Sequence, residues 1–385
     1  MTLLVLLGTW LVSLGLLLCL LPHKQFSPLE KRTLATAPQA TVASLLDGSL
    51  TAGISRMCAD QFPARSLFVR VKASVELMLG KGQNNGVIAA ADGYLISKPH
   101  TTEQQLTAIN ANLSSIDRFA KAMEERRIPF VLATVPRSID VNQNRLSKIY
   151  HAKDAEYDLA YLRQCIDGLN LPFHDLTHPI RAAARQGLPV WYRTDHHWTS
   201  LGAYYAYLSL ADALGYTPHP LSAFTPSVVC TDFVGTAYAA SGMSWVDGED
   251  ITLFRYEGDR NLQTEILEHG KVVKRLDGAY DLSALATQDQ YNVFLGGTNA
   301  HIRVRHTHGN FPTLLLIKDS YSQSLAPFLA RHYDLILIDP RTYSTQNEAV
   351  LSLVEQENVS KVLLLYGVDT LFSGHSLRVL EYGLS

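Results

Sequence analysis

Thr313-Leu314-Leu315-Leu316-Ile317-Lys318-Asp319-Ser320-Tyr321-Ser322 is the stretch from which the fold is read. Its apolar run lacks the polar alternation of a half-solvated strand and reads as a parallel strand buried on both faces. Tyr321 to Arg331 reads as a helix. Ser320 is thereby placed at the carboxyl end of a strand and near a helix N-terminus. Open α/β sheets bind ligands at such ends, and backbone N–H groups there can face an oxyanion.

A serine hydroxyl is a poor nucleophile at neutral pH. It needs an imidazole within hydrogen-bond reach and a third group that fixes the imidazole tautomer. Thr194-Asp195-His196-His197-Trp198-Thr199 offers both, because Asp195 and His197 lie two positions apart in a stretch that ends at a helix start. The G-x-S-x-G elbow of α/β-hydrolases is absent from the chain, so the scaffold is a different one.

Working outward, Thr102 to about Arg126 is the first clear helix. Thr102 and Gln105 fit a capping box, and Leu106, Ile109, Leu113, Ile116, Ala120 and Met123 recur at helical spacing as one core stripe. A strand is expected at Ile128–Val135, helices at Ala155–Gly168 and Ser200–Leu214, and Gly215 as a C-cap. From Tyr216 to Phe311 short β-like runs are broken by Gly, Asp and Asn, which reads as an inserted strand-rich subdomain. Strand, helix and strand then alternate at 313–318, 334–338, 347–357 and 361–366. Such alternation predicts a parallel sheet with helices on both faces. Between Pro22 and Pro38 lies a polar linker, and a hairpin is expected around Ala91-Asp92-Gly93.

Composition bounds the function. A chain of 385 residues, 47% apolar, with a formal charge of −3, buries one large domain or two smaller ones and gives no electrostatic case for nucleic acid. Thr2 to Leu21 carries no charge. At 1.5 Å per residue it is long enough for a bilayer core of roughly 30 Å. It lacks a basic n-region and an A-x-A-like cleavage site, so an uncleaved single-pass anchor is expected, and Leu16-Leu17-Leu18-Cys19 matches a lipobox only loosely. Beyond it Cys58, Cys165 and Cys230 form no close-spaced set and read as small buried hydrophobes, with Cys165 and Cys230 the pair available for oxidation.

Taken together, Asp195-His196-His197-Trp198, Lys318-Asp319-Ser320-Tyr321-Ser322, Asn84-Asn85-Gly86-Val87 with Asp92-Gly93-Tyr94-Leu95, and Asp60-Gln61-Phe62-Pro63-Ala64-Arg65 carry a family resemblance. The chain resembles the DHHW family, relatives of the alginate O-acetylation proteins in the SGNH hydrolase and acyltransferase superfamily. The resemblance implies an α/β fold with a circularly permuted SGNH-like parallel sheet flanked by helices, in which Asp-x-His precedes the serine. It also implies a catalytic triad of Ser320, His197 and Asp195. In the superfamily the strand after the serine carries oxyanion donors and the next ends in Gly-x-Asn. Here the corresponding ends are Asp339-Pro340-Arg341 and Tyr366-Gly367-Val368-Asp369. Gly367 is kept, but an ionised Asp369 cannot donate as asparagine does. The oxyanion donors expected are therefore the backbone of Ser320 or Tyr321, Gly367, and the side chain of Arg341.

The organisation expected is a transmembrane anchor at 1–22, a linker and accessory segment at 23–100, and a catalytic domain at 101–385 with the strand-rich insertion at about 216–311. Lys24, Lys31 and Arg32 follow the apolar segment, and the positive-inside rule would hold that side in the cytoplasm; Glu30 counts little in that rule. The resemblance instead implies a catalytic domain outside the cytoplasm, and that expectation is adopted.

Duller roles compete for each residue. Ser320 alone would be a helix N-cap, and the upstream Asp-x-His tips it to nucleophile. His196 reads as a packing histidine, Trp198 as a wedge beneath the turn, and Ser322 and Ser324 as helix-turn hydroxyls. His306 and His308 share a strand face and offer zinc ligands, although histidines among arginines on a strand are more often a solvated face. No cofactor and no metal are expected. Three functions remain. One is an O-acyltransferase acetylating a cell-surface or secreted glycan, served by a membrane-bound O-acyltransferase as acetyl donor. Another is an acetylesterase with the same triad. The third is a non-catalytic glycan-binding protein stacking sugars on Tyr192, Trp198, Tyr238, Trp245 and Tyr321.

Overall fold

The computed structural model describes residues 1–27, 32–99, 101–169, 171–344, 348–374 and 376–384. The chain divides into two units, Met1–Val87 with Thr236–Val246, and Ile88–Gly235 with Asp247–Ser385. In the first, α1 (Thr2–Leu20) precedes α2 (Val42–Leu46), α3 (Ser49–Asp60) and α4 (Arg65–Met78). The Asn84-Asn85 motif has a structural use there. The buried Asn84 donates Nδ2 to Ser241 O at 2.7 Å and Asn85 donates to Ala240 O at 3.1 Å, which ties the 236–246 segment to the N-terminal one. α1 forms over the apolar run, with three of its side chains outside the described set. Among the described residues no helix is long and apolar enough to cross a membrane, so the membrane span remains a reading of the sequence. Glu30 and Lys31 lie outside the described residues. Cys58, Cys165 and Cys230 are free thiols.

The second unit is a mixed α/β fold. Its sheet comprises β1 (Phe130–Val135), β2 (Phe173–Asp175), β3 (Leu262–Glu268), β4 (Lys271–Asp277), β5 (His301–His306), β6 (Thr313–Lys318), β7 (Asp334–Ile338) and β8 (Val359–Gly367). Their order is β4-β3-β5-β7-β6-β8-β1-β2. β7, β6, β8, β1 and β2 run parallel, and β5, β3 and β4 continue the edge antiparallel. The strand-rich stretch from Tyr216 thus lends three strands to the main sheet, while Thr225–Phe233 and Glu249–Arg255 pair as a separate ribbon.

β6 explains its own sequence. Leu314 and Leu316 enter one core layer and Leu315 and Ile317 the other, all fully buried, which is why no polar residue alternates with them. Each such side chain contributes about 1.5–3 kcal/mol relative to exposure. One layer holds α7 (Thr177–Arg185), α8 (Ser200–Leu214) and α9 (Ser322–Leu329); the other holds α5 (Glu103–Glu125), α6 (Lys153–Asp167) and α10 (Val350–Gln356). α5 begins at the expected capping box, Gln105 N–H donating to Thr102 Oγ1 and Thr102 N–H to Gln105 Oε1. It buries Ile109, Leu113, Ile116, Ala120 and Met123. α8 ends at Gly215 in the left-handed region, at φ 71°. α9 stops at Leu329, short of the expected Arg331, because the chain turns there into β7; residue 347 of the expected 347–357 helix lies outside the described residues. The hairpin at Ala91–Gly93 forms, with Ala90 N–H donating to Tyr94 O.

At the carboxyl ends of β6 and β7 sits a charge cluster in which Lys318 and Asp339 are fully buried and Arg341 is partly open to solvent. Asp339 takes two donations from Arg341, Nε at 2.8 Å and a terminal nitrogen at 2.6 Å, while Lys318 Nζ lies 3.5 Å away. Burial pushes Lys318 down, and its long contact to Asp339 does not offset that. Burial alone would raise Asp339, but the fork of Arg341 holds it below the usual carboxylate range. Removing one member of a buried pair leaves an uncompensated charge, so Asp339→Asn is expected to lower unfolding free energy by about 3–5 kcal/mol in urea titrations near neutral pH. A depressed folded-state pKa stabilises above the unfolded value and is lost as pH falls through the folded one. The gap between wild type and Asp339→Asn should therefore narrow below about pH 4; a gap that widens there would contradict this reading.

Candidate active site

The parallel strands stop together, and the residues that follow them form the site. After β6 come Asp319, fully buried, and Ser320, only half-buried. α9 begins at Ser322, and Gln323 N–H closes the turn onto Ser320 O at 3.2 Å.

Asp195 and His197 arrive on a turn closed by the antiparallel bridge of Trp191 and Trp198. Asp195 Oδ1 accepts the His197 backbone N–H at 2.9 Å and faces His197 Nδ1 at 2.6 Å. The two-residue spacing is thus an Asx turn, a side chain capping the backbone two residues on, and the same oxygen orients the ring. On the other side, His197 Nε2 lies 2.8 Å from Ser320 Oγ. An ionised carboxylate only accepts. Nδ1 therefore carries its proton toward Asp195, and Nε2 turns a lone pair to the Ser320 hydroxyl. The structure brings Ser320, His197 and Asp195 into one hydrogen-bonded chain, and this geometry suits proton removal from a nucleophilic hydroxyl.

Packing fixes the ring as well. His197 stacks on Tyr291 with centroids 4.0 Å apart and planes 8° apart, and Tyr321 meets it edge-on at 5.1 Å. Tyr291 Oη lies 3.1 Å from Ser324 Oγ, while Trp198 Nε1 donates to Ser324 Oγ at 2.9 Å and Tyr321 O at 3.1 Å. Trp198 is the wedge beneath the turn that its sequence position suggests, and Ser324 is a hub for its neighbours. Glu249 braces the turn from behind. It accepts the backbone N–H groups of Arg193 and Thr194, each at 2.8 Å, and the Thr194 hydroxyl at 2.6 Å. Burial pushes the Glu249 carboxyl up against the pull of those donors. The Asp92–Leu95 block also holds this turn, since Leu95 N–H donates to Arg193 O at 2.8 Å.

Of the expected oxyanion donors, Tyr321, Gly367 and Arg341 are engaged elsewhere. Asp319 Oδ1 accepts the Tyr321 N–H at 3.1 Å and Oδ2 the Gly367 N–H at 2.7 Å. The Tyr321 hydroxyl donates to His196 O at 2.8 Å, and Arg341 is forked onto Asp339. Burial raises the Asp319 pKa, yet its two N–H partners are those a carboxylate prefers. Asp369 is largely exposed, 3.6 Å from the buried Arg137, which is itself bonded to Asp140 and Asp158.

Asp195, His196 and His197 offer ligand atoms within 4.8 Å of one another. Both His197 nitrogens, however, already face Asp195 and Ser320. Crowding and the adjacent His197 lower the His196 pKa; with 42% of its side chain open, solvent moderates that shift. His306 is turned to Asp334 at 2.8 Å and stacked on Phe311, so the strand pair His306 and His308 makes no ligand cluster among the described residues. Tyr192, Trp198 and Tyr321 are almost fully buried and present no face for sugar stacking, which leaves Tyr238 and Trp245 of that set. Nothing in the sequence singles out Glu249, Tyr291 or Gly235.

Residues 180–338 match the family model for DHHW protein, and residues 87–244 match that for the SGNH hydrolase-like domain of the acetyltransferase AlgX. The probable alginate O-acetylase AlgJ of Pseudomonas putida is 31% identical over 179 residues, covering 44% of this chain and 45% of that protein. Its Pseudomonas fluorescens counterpart is 26% identical over 178 residues, covering 45% and 44%. The chain spans less than half the length of these curated relatives. A DHHW family protein from Eubacterium siraeum superposes with a TM-score of 0.60 at 17% identity, covering 77% of this chain and 95% of that one. Bacillus cereus PatB1 superposes at 0.57 and 19%, covering 76% and 98%. These two likenesses concern the fold. The DHHW match over residues 180–338 contains both Asp195-His196-His197-Trp198 and Lys318-Asp319-Ser320-Tyr321-Ser322, the motifs that carry the resemblance.

Gly235 leaves no room for added volume beside Asp195. A β-carbon there would lie 2.2 Å from both Cβ and Oδ2 of Asp195. Gly235→Ala is expected to keep near-native far-UV circular dichroism while abolishing the strongly deshielded His197 Nδ1–H resonance in proton NMR. Persistence of that resonance unchanged would refute the packing argument.

Proposed function

We propose that the protein is a serine O-acetyltransferase that acetylates hydroxyls of a cell-surface or secreted polysaccharide. The single observation that carries this reading is the continuous chain from Ser320 Oγ to His197 to Asp195, at 2.8 and 2.6 Å. The relatives named as alginate O-acetylases favour transfer to a polysaccharide over other acyl chemistry. On this reading the sheet is a permuted SGNH-like core, with Asp-x-His ahead of the serine.

In the first half-reaction Ser320 Oγ attacks the acetyl carbonyl as His197 Nε2 takes its proton. The tetrahedral adduct collapses, the donor's leaving oxygen receives that proton, and acetyl-Ser320 remains. An acceptor hydroxyl then attacks the acyl-enzyme with His197 again as base; the ester product leaves and Ser320 is restored. Asp195 holds the tautomer throughout and stabilises the imidazolium. With Tyr321, Gly367 and Arg341 turned to carboxylates, we assign the oxyanion to the Ser320 N–H. Water in place of the glycan would give an acetylesterase, so acceptor access governs the outcome.

The uncharged run Thr2–Leu20, helical throughout, supports a single-pass anchor. The acceptor polymers lie outside the cytoplasm, which favours an extracytoplasmic catalytic unit beside a membrane-bound acetyl donor.

The full chain in detergent is to be incubated with a chromogenic acetyl ester, and separately with an acetyl donor and oligosaccharides followed by mass spectrometry. Ser320→Ala and His197→Ala should each lower turnover by a factor on the order of a thousand, with little further loss when combined, because triad members act as a unit. His196→Ala should retain most activity, its main-chain bond to Tyr321 surviving. Near-wild-type turnover of Ser320→Ala would sink the proposal, whereas release of free acetate with no acetylated oligosaccharide would reassign the enzyme as an esterase.

A further inference from the structure

The block Asp60-Gln61-Phe62-Pro63-Ala64-Arg65, which the catalytic reading leaves unused, forms the junction between α3 and α4. Gln61 clamps the chain just after α1, its Oε1 accepting the Lys24 N–H at 2.9 Å and its Nε2 donating to Lys24 O at 2.8 Å. Asp60 Oδ2 accepts the Ala35 N–H at 2.8 Å. Around this junction is a cavity of about 660 Å³, lined among others by Leu21, Pro22, Phe62 and Arg70. The end of the apolar helix is therefore held beside the start of α4.

α4 is apolar on the wrong side for a helix that packs only on protein. At 100° per residue, Leu67, Phe68, Val71, Val75, Met78 and Leu79 fall within one arc of about 120°. Those six side chains are 47–84% exposed. Arg70 flanks the arc on one side and Lys72 on the other, while Ala73 and Val69 on the opposite face pack inward, Val69 toward Gly242. An exposed apolar stripe bordered by basic residues is the pattern of a helix lying in a membrane interface. Because its first turn is pinned where α1 ends, a bilayer crossed by α1 would begin at that level.

We infer that α4 is an in-plane membrane-binding helix, its Leu67–Val71–Val75–Met78 face seated among lipid acyl chains and Arg70 and Lys72 at the headgroups. This rests on the anchoring reading above, with the lipid surface as the single occupant. The face would hold the first unit down on the bilayer instead of leaving it tethered by α1 alone.

The test uses the full chain with its native cysteines replaced by serine, carrying a nitroxide at Leu67→Cys, Val71→Cys or Val75→Cys. These positions are exposed, so labelling leaves the packed face intact; Lys121→Cys on α5 serves as the aqueous control. The protein is reconstituted in phosphatidylcholine vesicles with or without phosphatidylglycerol. Flotation with the vesicles reports the anchor, and accessibility to oxygen and to a nickel chelate reports the helix face. The expected result is a several-fold fall in nickel accessibility at positions 67, 71 and 75, with oxygen accessibility kept and the control unchanged. Vesicle-bound protein whose α4 labels stay open to nickel overturns the inference while sparing the anchor. Labels closed to both reagents mark a protein contact and also overturn it. Protein that does not float removes the anchor reading and this inference with it, whatever the acetyl-ester assay gives.

Discussion

Helices cover both faces of Thr313–Lys318, so the polar chemistry of this sheet reaches solvent only where the strand stops. Polar residues that follow the parallel strands collect at that edge: Asp319 and Ser320 after β6, Asp339 and Arg341 after β7, Asp369 after β8, and Arg137 after β1. Because those strands are parallel and in register, their ends coincide, and residues far apart in sequence become neighbours without any long loop having to deliver them. The same burial lowers the local dielectric, which strengthens each contact made there and raises the penalty for any left unmade.

Carboxylates meet that penalty in a common way, by capping backbone N–H groups that turns would otherwise leave unpaired. Asp195 takes the N–H of His197, Asp319 those of Tyr321 and Gly367, and Glu249 those of Arg193 and Thr194. Burial opposes ionisation at Asp319 and Glu249, and the donors oppose burial. One consequence is functional. N–H groups spent on orienting carboxylates cannot serve a developing oxyanion, so the scaffold trades possible donors for a rigid turn under Ser320.

How much of this the sequence discloses depends on range. β6, the capped helix α5 with its apolar stripe, and the Gly215 cap were legible because each is set by local periodicity or by one residue's conformational preference. The Asp-x-His pair was legible because an Asx turn is local too. Glu249 and Gly235 were not: they touch Thr194 across 55 and 41 residues, and neither residue type announces a partner. The engagement of the Tyr321 and Gly367 N–H groups was not legible either, because it depends on the orientation of one side chain, Asp319. The proposed stacking aromatics failed for a related reason. A sequence shows that Tyr192, Trp198 and Tyr321 are present, but only the fold turns their faces inward to hold the histidine turn.

The imidazole illustrates how these constraints combine. Two in-plane contacts, to Asp195 and Ser320, fix rotation of the His197 ring within its plane, and the Tyr291 stack fixes the plane itself. Tyr291 is in contact with Ser324, which also receives the Trp198 indole. Ser324 lies in the first turn of α9, whose chain begins immediately after Ser320. The wall that orients the imidazole and the turn that carries the Ser320 hydroxyl therefore share one anchor. Such coupling keeps reacting groups aligned without further contacts, since the entropy of fixing them is lost on folding and not at the moment of reaction.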